Sequence, residues 1–258
     1  MYALVTGASK GIGKAIAIEL ASRGVNLLLV ARDVSSLEQL STTLKKTYQV
    51  DVQFLGLDLS QPNAVQTLHT WIETNLYRIN ILVNNAGYGL SGAFTDYTLE
   101  EHTTMMQVNM QVPVALTSTL LPQLKANQPS YILNIVSSAA YQSVPGLTTY
   151  AASKSFLLSF SRGLRYELRN KGVSVTAVSP GSTDTGFATR AKVGTKGLKA
   201  AEKVNMTPEA VARIAVKAMY ARKAEVITGF INQLGAFLVW LFPKKLAEKT
   251  AASIYELD

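Results

Sequence analysis

The sequence predicts an α/β protein, with one doubly wound parallel sheet of about seven strands and helices on both faces of it. Three observations support this fold class. Short β-rich runs alternate with helix-length amphipathic segments along almost the whole chain, which is typical of right-handed β-α-β units. Several runs, such as residues 27–30, are continuously apolar, as expected for strands covered on both faces. The 258 residues, 48% of them hydrophobic, are enough for one large core.

The strand candidates are short segments rich in aliphatic and β-branched residues between turn signals. They are Tyr2–Thr6, Asn26–Ala31, Val52–Leu57, Ile81–Asn84, Tyr131–Ser137, Ser174–Ser179 and Glu225–Thr228. Helix patterns lie between them at residues 12–23, 34–47, 62–76, 99–126, 150–171 and 208–221. Gly24 and Gly172 follow two of these helices, where glycine commonly ends a helix. No linker or repeat divides the chain, so we predict one domain over residues 1–230 with a helical extension at 231–258.

The composition argues against several kinds of site. The absence of cysteine excludes disulfides, a thiolate nucleophile and cysteine-ligated metals, and it fits a reducing compartment. His69 and His102 lie far apart on predicted helices, so we expect exposed positions and no metal. The formal charge of +8 is explained by solvated lysines or by attraction to an anionic cofactor or acyl carrier. Nucleic acid is the weakest explanation, because the basic residues are scattered without interleaved aromatics.

A glycine-rich turn follows the first strand. Residues 6–13 read Thr-Gly-Ala-Ser-Lys-Gly-Ile-Gly, and a predicted helix begins immediately. Gly7 and Gly11 permit the backbone angles and the close approach that a pyrophosphate needs, and Gly13 would let the helix lie close to the sheet. The unpaired N–H groups at the helix start then favour phosphate. An ordinary strand-to-helix turn is the alternative, but the position in the chain favours a Rossmann-like dinucleotide site.

The end of the second strand bears on which dinucleotide binds. NAD-preferring sites usually place a carboxylate there for the ribose 2′-hydroxyl. This sequence has Arg32 instead, with Lys10 in the glycine turn, and two cations favour the 2′-phosphate of NADP(H) over NAD(H). Solvated surface charges are the alternative, and NAD(H) returns as a candidate if Asp33 faces the ribose. Asp58 is expected either to contact the adenine amino group or to cap the next helix.

Six motifs occur in the order and spacing of a known family. They are Thr6-Gly7-x-x-x-Gly11-x-Gly13, Asn84-Asn85-Ala86-Gly87, Asn109, Ser138, Tyr150-x-x-x-Lys154 and Pro180-Gly181. Over about residues 1–230 the chain resembles the short-chain dehydrogenase/reductase family. The resemblance implies an NADP(H)-dependent oxidoreductase that moves a hydride between nicotinamide and a ketone or secondary alcohol. It also implies a homodimer or homotetramer.

Tyr150 and Lys154 are the main catalytic candidates. They lie four residues apart on a predicted helix, so both project from the same face. A tyrosine has an ordinary pKa of about 10, and a lysine ammonium and a nicotinamide cation beside it would lower that pKa. Taken alone, a Tyr-x-x-x-Lys pair in a helix is commonly a chance occurrence.

Two further catalytic residues are predicted. Ser138 closes the fifth strand, where its hydroxyl would hydrogen-bond the substrate oxygen. Ser137 competes for this role, and the family pattern selects Ser138. Asn109 lies inside a long helical pattern, where tolerance on a polar face is the alternative. The resemblance gives it the role of kinking the helix and holding a water that links the lysine to solvent.

The resemblance also implies a set of cofactor contacts. The segment after the fourth strand would line the adenosine side, although a plain turn explains it too. The segment after the sixth strand would touch nicotinamide, with the Thr183 backbone at the carboxamide and the Thr185 hydroxyl near carboxamide or phosphate. The expected cofactor-binding residues are Gly7, Ser9, Lys10, Gly11, Ile12, Gly13, Arg32, Asp58, Leu59, Asn85, Ala86, Gly87, Tyr150, Lys154, Pro180, Gly181, Thr183 and Thr185.

The last part of the chain bears on the substrate. Residues 185–206 have weak periodicity, and the resemblance makes them a mobile lid over the substrate. Residues 234–242 are almost continuously apolar and are followed by Pro243, Lys244 and Lys245. This run is too short to span a bilayer, and it suits a core or subunit-interface helix, the cover of an apolar pocket, or a membrane surface. We therefore expect a hydrophobic carbonyl substrate (3-oxoacyl, steroid-like or aliphatic) and a cytoplasmic protein, with peripheral membrane contact as an alternative.

Overall fold

The computed structural model describes residues 1–202 and 205–255. Seven strands form one sheet in the order β3-β2-β1-β4-β5-β6-β7, and every neighbouring pair is parallel. The strands are β1 (Tyr2–Thr6), β2 (Asn26–Ala31), β3 (Val52–Gly56), β4 (Ile79–Asn84), β5 (Ser130–Ile135), β6 (Val173–Ser179) and β7 (Glu225–Ile227). The predicted doubly wound parallel sheet is confirmed, and each predicted strand end lies within two residues of the observed one.

Helices connect the strands and extend beyond the last one. They are α1 (Gly11–Ala21), α2 (Val34–Tyr48), α3 (Ala64–Thr74), α4 (Leu99–Met106), α5 (Val112–Ala126), α6 (Thr148–Leu168), α7 (Phe187–Arg190), α8 (Thr195–Glu202), α9 (Pro208–Tyr220), α10 (Phe230–Leu241) and α11 (Lys244–Ile254). The helix predicted at 99–126 is two helices, because a π-helical turn at Gln107–Gln111 separates α4 from α5. Residues 203–204 of the predicted lid and 256–258 of the predicted extension lie outside the described residues.

Apolar side chains cover both faces of the sheet. Along β2, Leu27 and Leu29 belong to the cluster that packs α1, α2 and α9 on one face. Leu28 and Val30 belong to the cluster with α3 and α5 on the other face. All four are fully buried, and burial of one such side chain contributes about 1.5–3 kcal/mol. The continuous apolar run therefore arises because successive side chains enter two different cores.

The strand order determines where a ligand is expected. β1 lies between β2 and β4, and the chain progresses away from it in opposite directions on the two sides. Such a switch point leaves a crevice at the carboxyl ends of the central strands, where doubly wound proteins bind ligands. The glycine turn after β1 and the segment after β4 therefore meet at the same place.

The last two helices pack differently from the rest. α10 has no buried residue although it is almost entirely apolar, and α11 buries only Ala251. Among the described residues, no helix combines the length and apolar character needed to cross a membrane.

Candidate active site

A cavity of about 1070 Å³ opens at the carboxyl ends of the strands. The segments that follow β1 to β6 line it, together with α10 and α11. All of the predicted site residues line this cavity except Gly13 and Asn109. The volume lies at the upper end of the range for ligand sites, as a dinucleotide together with a substrate requires.

The glycine turn has the predicted geometry. Gly7 and Gly11 have φ of +65° and +56°, which side chains other than glycine rarely adopt. Gly13 is buried beneath the turn, and a Cβ atom there would collide with the Gly7 carbonyl oxygen. Lys10 precedes α1 in an extended conformation, and no described side chain caps the helix. The first N–H groups of α1 are therefore available to a phosphate, because none of the described residues accepts a hydrogen bond from them.

Asn85 fixes the glycine turn to the segment after β4. Its side-chain nitrogen donates to the carbonyl oxygens of Thr6 (2.9 Å) and Gly7 (3.2 Å). The Thr6 hydroxyl in turn accepts from the backbone N–H groups of Asn85 and Ala86. Asn84 points elsewhere: it is buried and donates to Asn134 at 2.8 Å. The two neighbouring asparagines thus have different roles: Asn85 holds the glycine turn at the cavity, and Asn84 connects β4 to β5.

The segment after β6 closes the other side of the glycine turn. A Cβ atom on Gly11 would lie 2.8 Å from the side chain of Thr185, so the two segments are in direct contact. The Thr185 hydroxyl donates to the Thr183 carbonyl (3.2 Å) and accepts from the Phe187 N–H (3.3 Å). The residues expected to touch nicotinamide therefore lie over the start of α1.

The charges at the end of β2 favour Arg32 as the residue that faces the ribose. The carboxylate of Asp33 caps α2, accepting from the Ser36 N–H (3.0 Å) and hydroxyl (2.7 Å), and these hydrogen bonds lower its pKa. Arg32 extends over the cavity with its Nη1 atom 3.9 Å from Oδ2 of Asp58. The competing assignment of Asp33 to the ribose is weakened, because its oxygens already have partners.

Asp58 accepts from the N–H (3.0 Å) and hydroxyl (2.8 Å) of Ser60. Burial alone would raise the pKa of Asp58, but these hydrogen bonds and the nearby Arg32 and Arg190 lower it. An ionised carboxylate therefore lines the cavity near Arg32. Both alternatives from the sequence, a contact with adenine and a local capping role, are compatible with this position.

Tyr150 and Lys154 come together on one face of α6. Both are buried, and the Lys154 Nζ atom lies 5.8 Å from the centroid of the Tyr150 ring. Nζ also donates to the Ile135 carbonyl at 3.0 Å, which fixes the ammonium group at the end of β5. Burial raises the pKa of Tyr150 to about 12 and lowers the pKa of Lys154 to about 8. The groups of the chain itself therefore do not produce the expected lowering of the tyrosine pKa, because the loss of hydration is the larger effect.

Ser137, the competing candidate from the sequence, lies beside the phenol, and the predicted Ser138 lines the same cavity. A hydrogen bond with the Ser137 side chain lowers the pKa of Tyr150, against the larger effect of burial. Ser138 begins a 3₁₀ turn and donates its backbone N–H to the Pro180 carbonyl at 2.7 Å. β5 ends at Ile135, earlier than predicted. The chain is still extended at Ser137 and turns at Ser138, so the first hydroxyl of the pair is the one beside the tyrosine.

Asn109 lies behind the cavity rather than in its wall. It is fully buried in the π-helical turn. Its side-chain nitrogen donates to the Tyr88 carbonyl (2.9 Å) and the Ser153 hydroxyl (3.0 Å), and its oxygen accepts from the Tyr88 N–H (3.1 Å). A Cβ atom on Gly87 would lie 2.9 Å from the Asn109 oxygen and 3.4 Å from Nζ of Lys154. Asn109 is thus a neighbour of the lysine across Gly87, and the interrupted helix agrees with the expected kink.

Three residues that the sequence did not indicate complete the site. Phe187 of α7 lies against Tyr150, with 5.1 Å between the two ring centroids. Arg190, at the other end of α7, covers the ring of Tyr88. No local signal marks these residues, because they belong to the weakly periodic lid or to a loop without a helical or strand pattern.

The fold and the site define an oxidoreductase class. A family model described as short chain dehydrogenase matches residues 1–195, and the chain therefore belongs to the short-chain dehydrogenase family. A short-chain dehydrogenase from Sphingobium yanoikuyae in complex with NADPH superimposes with a TM-score of 0.82 at 31% identity, covering 89% of this chain and 88% of that one. The bulky-bulky ketone specific alcohol dehydrogenase from Comamonas testosteroni gives a TM-score of 0.77 at 28% identity, covering 94% and 95%.

Curated relatives differ in the part of the chain that they match. The NADP-dependent 3-hydroxy acid dehydrogenase of Schizosaccharomyces pombe is 32% identical over 87% of this chain and 88% of its own. The hydroxysteroid dehydrogenase-like protein 1 of Gallus gallus and the very-long-chain 3-oxoacyl-CoA reductase-A of Danio rerio are each 37% identical over 69% of this chain. The matches span only 54% and 57% of those two proteins, little more than half of their length.

Proposed function

We propose that this protein is an NADP(H)-dependent oxidoreductase that transfers a hydride between nicotinamide and a ketone or secondary alcohol. One observation carries the proposal: the buried pair Tyr150 and Lys154 shares a cavity with a glycine turn shaped for a dinucleotide. The cationic end of this cavity at Arg32, where Asp33 is engaged in capping, supports NADP(H) over NAD(H). The NADPH complex of the Sphingobium yanoikuyae relative supports the same cofactor.

The residues of the chain divide the chemistry between them. The dinucleotide, when bound, supplies the hydride for the carbonyl carbon of the substrate. Tyr150 donates its phenolic proton to the carbonyl oxygen, and its raised pKa keeps this proton in place near neutrality. The Ser137 hydroxyl hydrogen-bonds the same oxygen and stabilises its developing charge. Lys154, held by the Ile135 carbonyl, keeps a positive charge near the phenol.

The cavity walls support a hydrophobic substrate (3-oxoacyl, steroid-like or aliphatic). The cavity is lined by apolar side chains from the loop before α6, from α7, and from α10, α11 and the turn between them: Val144, Leu147, Phe187, Ile231, Leu238, Val239, Phe242 and Leu246. A ligand that buries apolar surface here gains about 25 cal/mol per Å². The bulky ketone of the Comamonas testosteroni relative and the long acyl chain of the Danio rerio relative are substrates of this kind.

Helix α10 bears on the assembly of the protein and on its location in the cell. Four of its side chains form an exposed apolar stripe, which we call the outer stripe: Phe230, Leu234, Phe237 and Leu241. Exposed lysines at 244 and 245 follow directly. We propose a cytoplasmic homodimer or homotetramer that contacts anionic membrane surfaces through the outer stripe, because apolar side chains beside cations suit that interface.

Tyr150→Phe tests the proposed reaction. The substitution removes the proton donor and keeps the ring, so turnover is expected to fall by at least about 100-fold while NADPH binding persists. NADPH oxidation is followed across aliphatic ketones, 3-oxoacyl thioesters, steroids and quinones, and binding is followed by NADPH fluorescence. Unchanged turnover in the variant, or no oxidation with any substrate class by the wild type, would contradict the proposal.

A further inference from the structure

Among the described residues, one arginine of the lid has no hydrogen-bonded or ion-paired partner for its guanidinium group. Arg190 is the last residue of α7, and it is exposed at the wall of the cavity. Its guanidinium carbon lies 4.3 Å from the centroid of the Tyr88 ring. Within the described part of the chain, no carboxylate lies within ion-pair distance of it. Stacking on a ring leaves the five N–H donors of a guanidinium unused.

Arg190 belongs to a cluster of three charged residues whose net charge is positive. The cluster also contains Arg32 and Asp58, which lie 3.9 Å apart and line the same cavity. The charges of two guanidinium groups thus act on one carboxylate, that of Asp58, whose Oδ1 atom already accepts from Ser60. Partial burial and repulsion by Arg32 lower the pKa of Arg190. The net positive charge and the unused donors are those of a site for a doubly charged phosphate, which arginine pairs bind through two parallel hydrogen bonds.

We infer that Arg190 binds the 2′-phosphate of NADP(H) together with Arg32, and that it thereby couples the cofactor to the lid. The inference rests on the proposed function, since it assigns a further residue to the same cofactor. The phosphomonoester is the favoured ligand because Arg190 shares its cluster with the residue at the end of β2. The pyrophosphate site is separate, at the start of α1, where uncapped N–H groups are available.

The position of α7 explains how the cofactor would be coupled to the lid. Phe187, its first residue, has its ring centroid 5.1 Å from that of Tyr150, and Arg190, its last residue, is near enough to Asp58 to lower the pKa of that carboxylate. The helix is a single turn and moves as one unit. Its end is fixed by the buried Ala191, whose carbonyl accepts from the Ser91 N–H at 2.9 Å. A phosphate held by Arg190 therefore fixes Phe187 over the catalytic tyrosine.

Nucleotide binding to Arg190→Gln tests the inference. Lys192→Gln is the matched control, because Lys192 is an exposed lid cation that covers the ring of Tyr97 and does not line the cavity. Calorimetry with NADPH, NADH, 2′,5′-ADP and 5′-AMP gives the dissociation constants. Arg190→Gln is expected to raise those of NADPH and 2′,5′-ADP about tenfold or more, with NADH and 5′-AMP unchanged. Arg190→Lys keeps the charge without the fork and is expected to lie between.

Hydrogen exchange tests whether NADPH binding is coupled to the lid. Hydrogen exchange of residues 185–199 at saturating NADPH is expected to slow in the wild type and in Lys192→Gln, and not in Arg190→Gln. Equal NADPH affinity in Arg190→Gln and the wild type overturns the inference. An equal loss of NADPH and NADH affinity overturns the assignment to the 2′-phosphate, and equal protection of the lid overturns the coupling. If the wild type binds neither dinucleotide, the proposed function itself fails, which is a distinct result.

Discussion

The strands of the central sheet and the helix α10 are similarly apolar in sequence, yet they are buried to opposite extents. Leu4, Ile16 and Leu28 in the first β-α-β unit are fully buried. Phe230 and Trp240 in α10 are 76% and 79% exposed. An apolar run therefore indicates only that some surface needs cover. In the sheet, other parts of the same chain cover the apolar side chains. Along α10, one side lines the cavity, where a bound substrate would cover it.

The two sides of α10 explain this difference. Ile231, Gly235, Leu238 and Phe242 recur at helical spacing and line the cavity. The outer stripe recurs at the same spacing, displaced by one residue, and does not line the cavity. The family match ends at residue 195, before this helix begins. The region that fixes the fold and the cofactor is thus distinct from the region that we propose to meet substrate and membrane.

Leu28→Ala and Leu241→Ala sharpen the contrast in stability. Loss of the fully buried Leu28 side chain removes contacts in the core between β2 and α3, and unfolding should become easier by about 2–5 kcal/mol. Loss of the Leu241 side chain, 56% exposed, is expected to change stability by less than about 0.5 kcal/mol. Urea unfolding followed by circular dichroism measures both. Equal destabilisation by the two substitutions would break the comparison.

Ser137→Ala and Ser138→Ala test which of the two serine hydroxyls after β5 takes part in the reaction. Removal of the hydroxyl beside Tyr150 is expected to lower kcat about 100-fold, because the donor to the substrate oxygen is lost. Ser138→Ala removes a neighbouring hydroxyl of the same cavity and is expected to keep kcat within about threefold, since the hydroxyl that hydrogen-bonds the phenol belongs to Ser137. Steady-state kinetics with a substrate that the wild type reduces distinguish the two. The reverse order of effects would restore Ser138.

The pH dependence of the free energy of unfolding reports the ionisation of the buried residues Lys154 and Tyr150. Lys154 has a folded-state pKa of about 8, below its ordinary value of 10.5, so the unfolded chain binds more protons between these values. Stability should therefore rise by about 1 kcal/mol per pH unit from pH 8 to 10, and the buried ammonium is fully destabilising below pH 8. The raised pKa of Tyr150 acts oppositely, and its contribution is lost above pH 10.

Lys154→Met is expected to abolish the rise between pH 8 and 10, whereas Lys244→Met, at an exposed position beside the outer stripe, should preserve it. Urea unfolding at pH 7, 8, 9 and 10 provides the measurement. A rise that persists in Lys154→Met would show that another group is responsible.

The smallest expected effect concerns the outer stripe. Phe237→Ser combined with Leu241→Ser should lower the fraction bound to anionic phospholipid vesicles about tenfold, because two exposed apolar side chains no longer enter the lipid. Leu99→Ser, at an exposed position on α4, is the control and should leave binding unchanged. Sedimentation with vesicles of neutral and anionic composition is measured beside size-exclusion chromatography. Equal sedimentation of all variants contradicts membrane contact, and dissociation of an oligomer by the double variant would assign the stripe to a subunit interface.

The sequence by itself determined the seven-stranded parallel sheet, most of the helices around it and the pairing of Tyr150 with Lys154. These follow from local signals: apolar runs, helical periodicity, glycine positions and a spacing of four residues within one helix. The break in the long helical pattern at Asn109 was also expected. That expectation came from the family resemblance and not from the periodicity of the sequence.

Only the tertiary structure decided which hydroxyl lies beside the phenol, that Asp33 caps α2 while Arg32 lies near Asp58, and which lid residues line the cavity. The choice between Ser137 and Ser138 depends on the residue at which β5 stops pairing with β6. The carboxylate of Asp33 is engaged by Ser36 at the start of α2, and Arg190 reaches Tyr88 only because α7 folds back over the loop after β4. Such outcomes depend on contacts between segments far apart in the chain, and local sequence patterns carry no information about them.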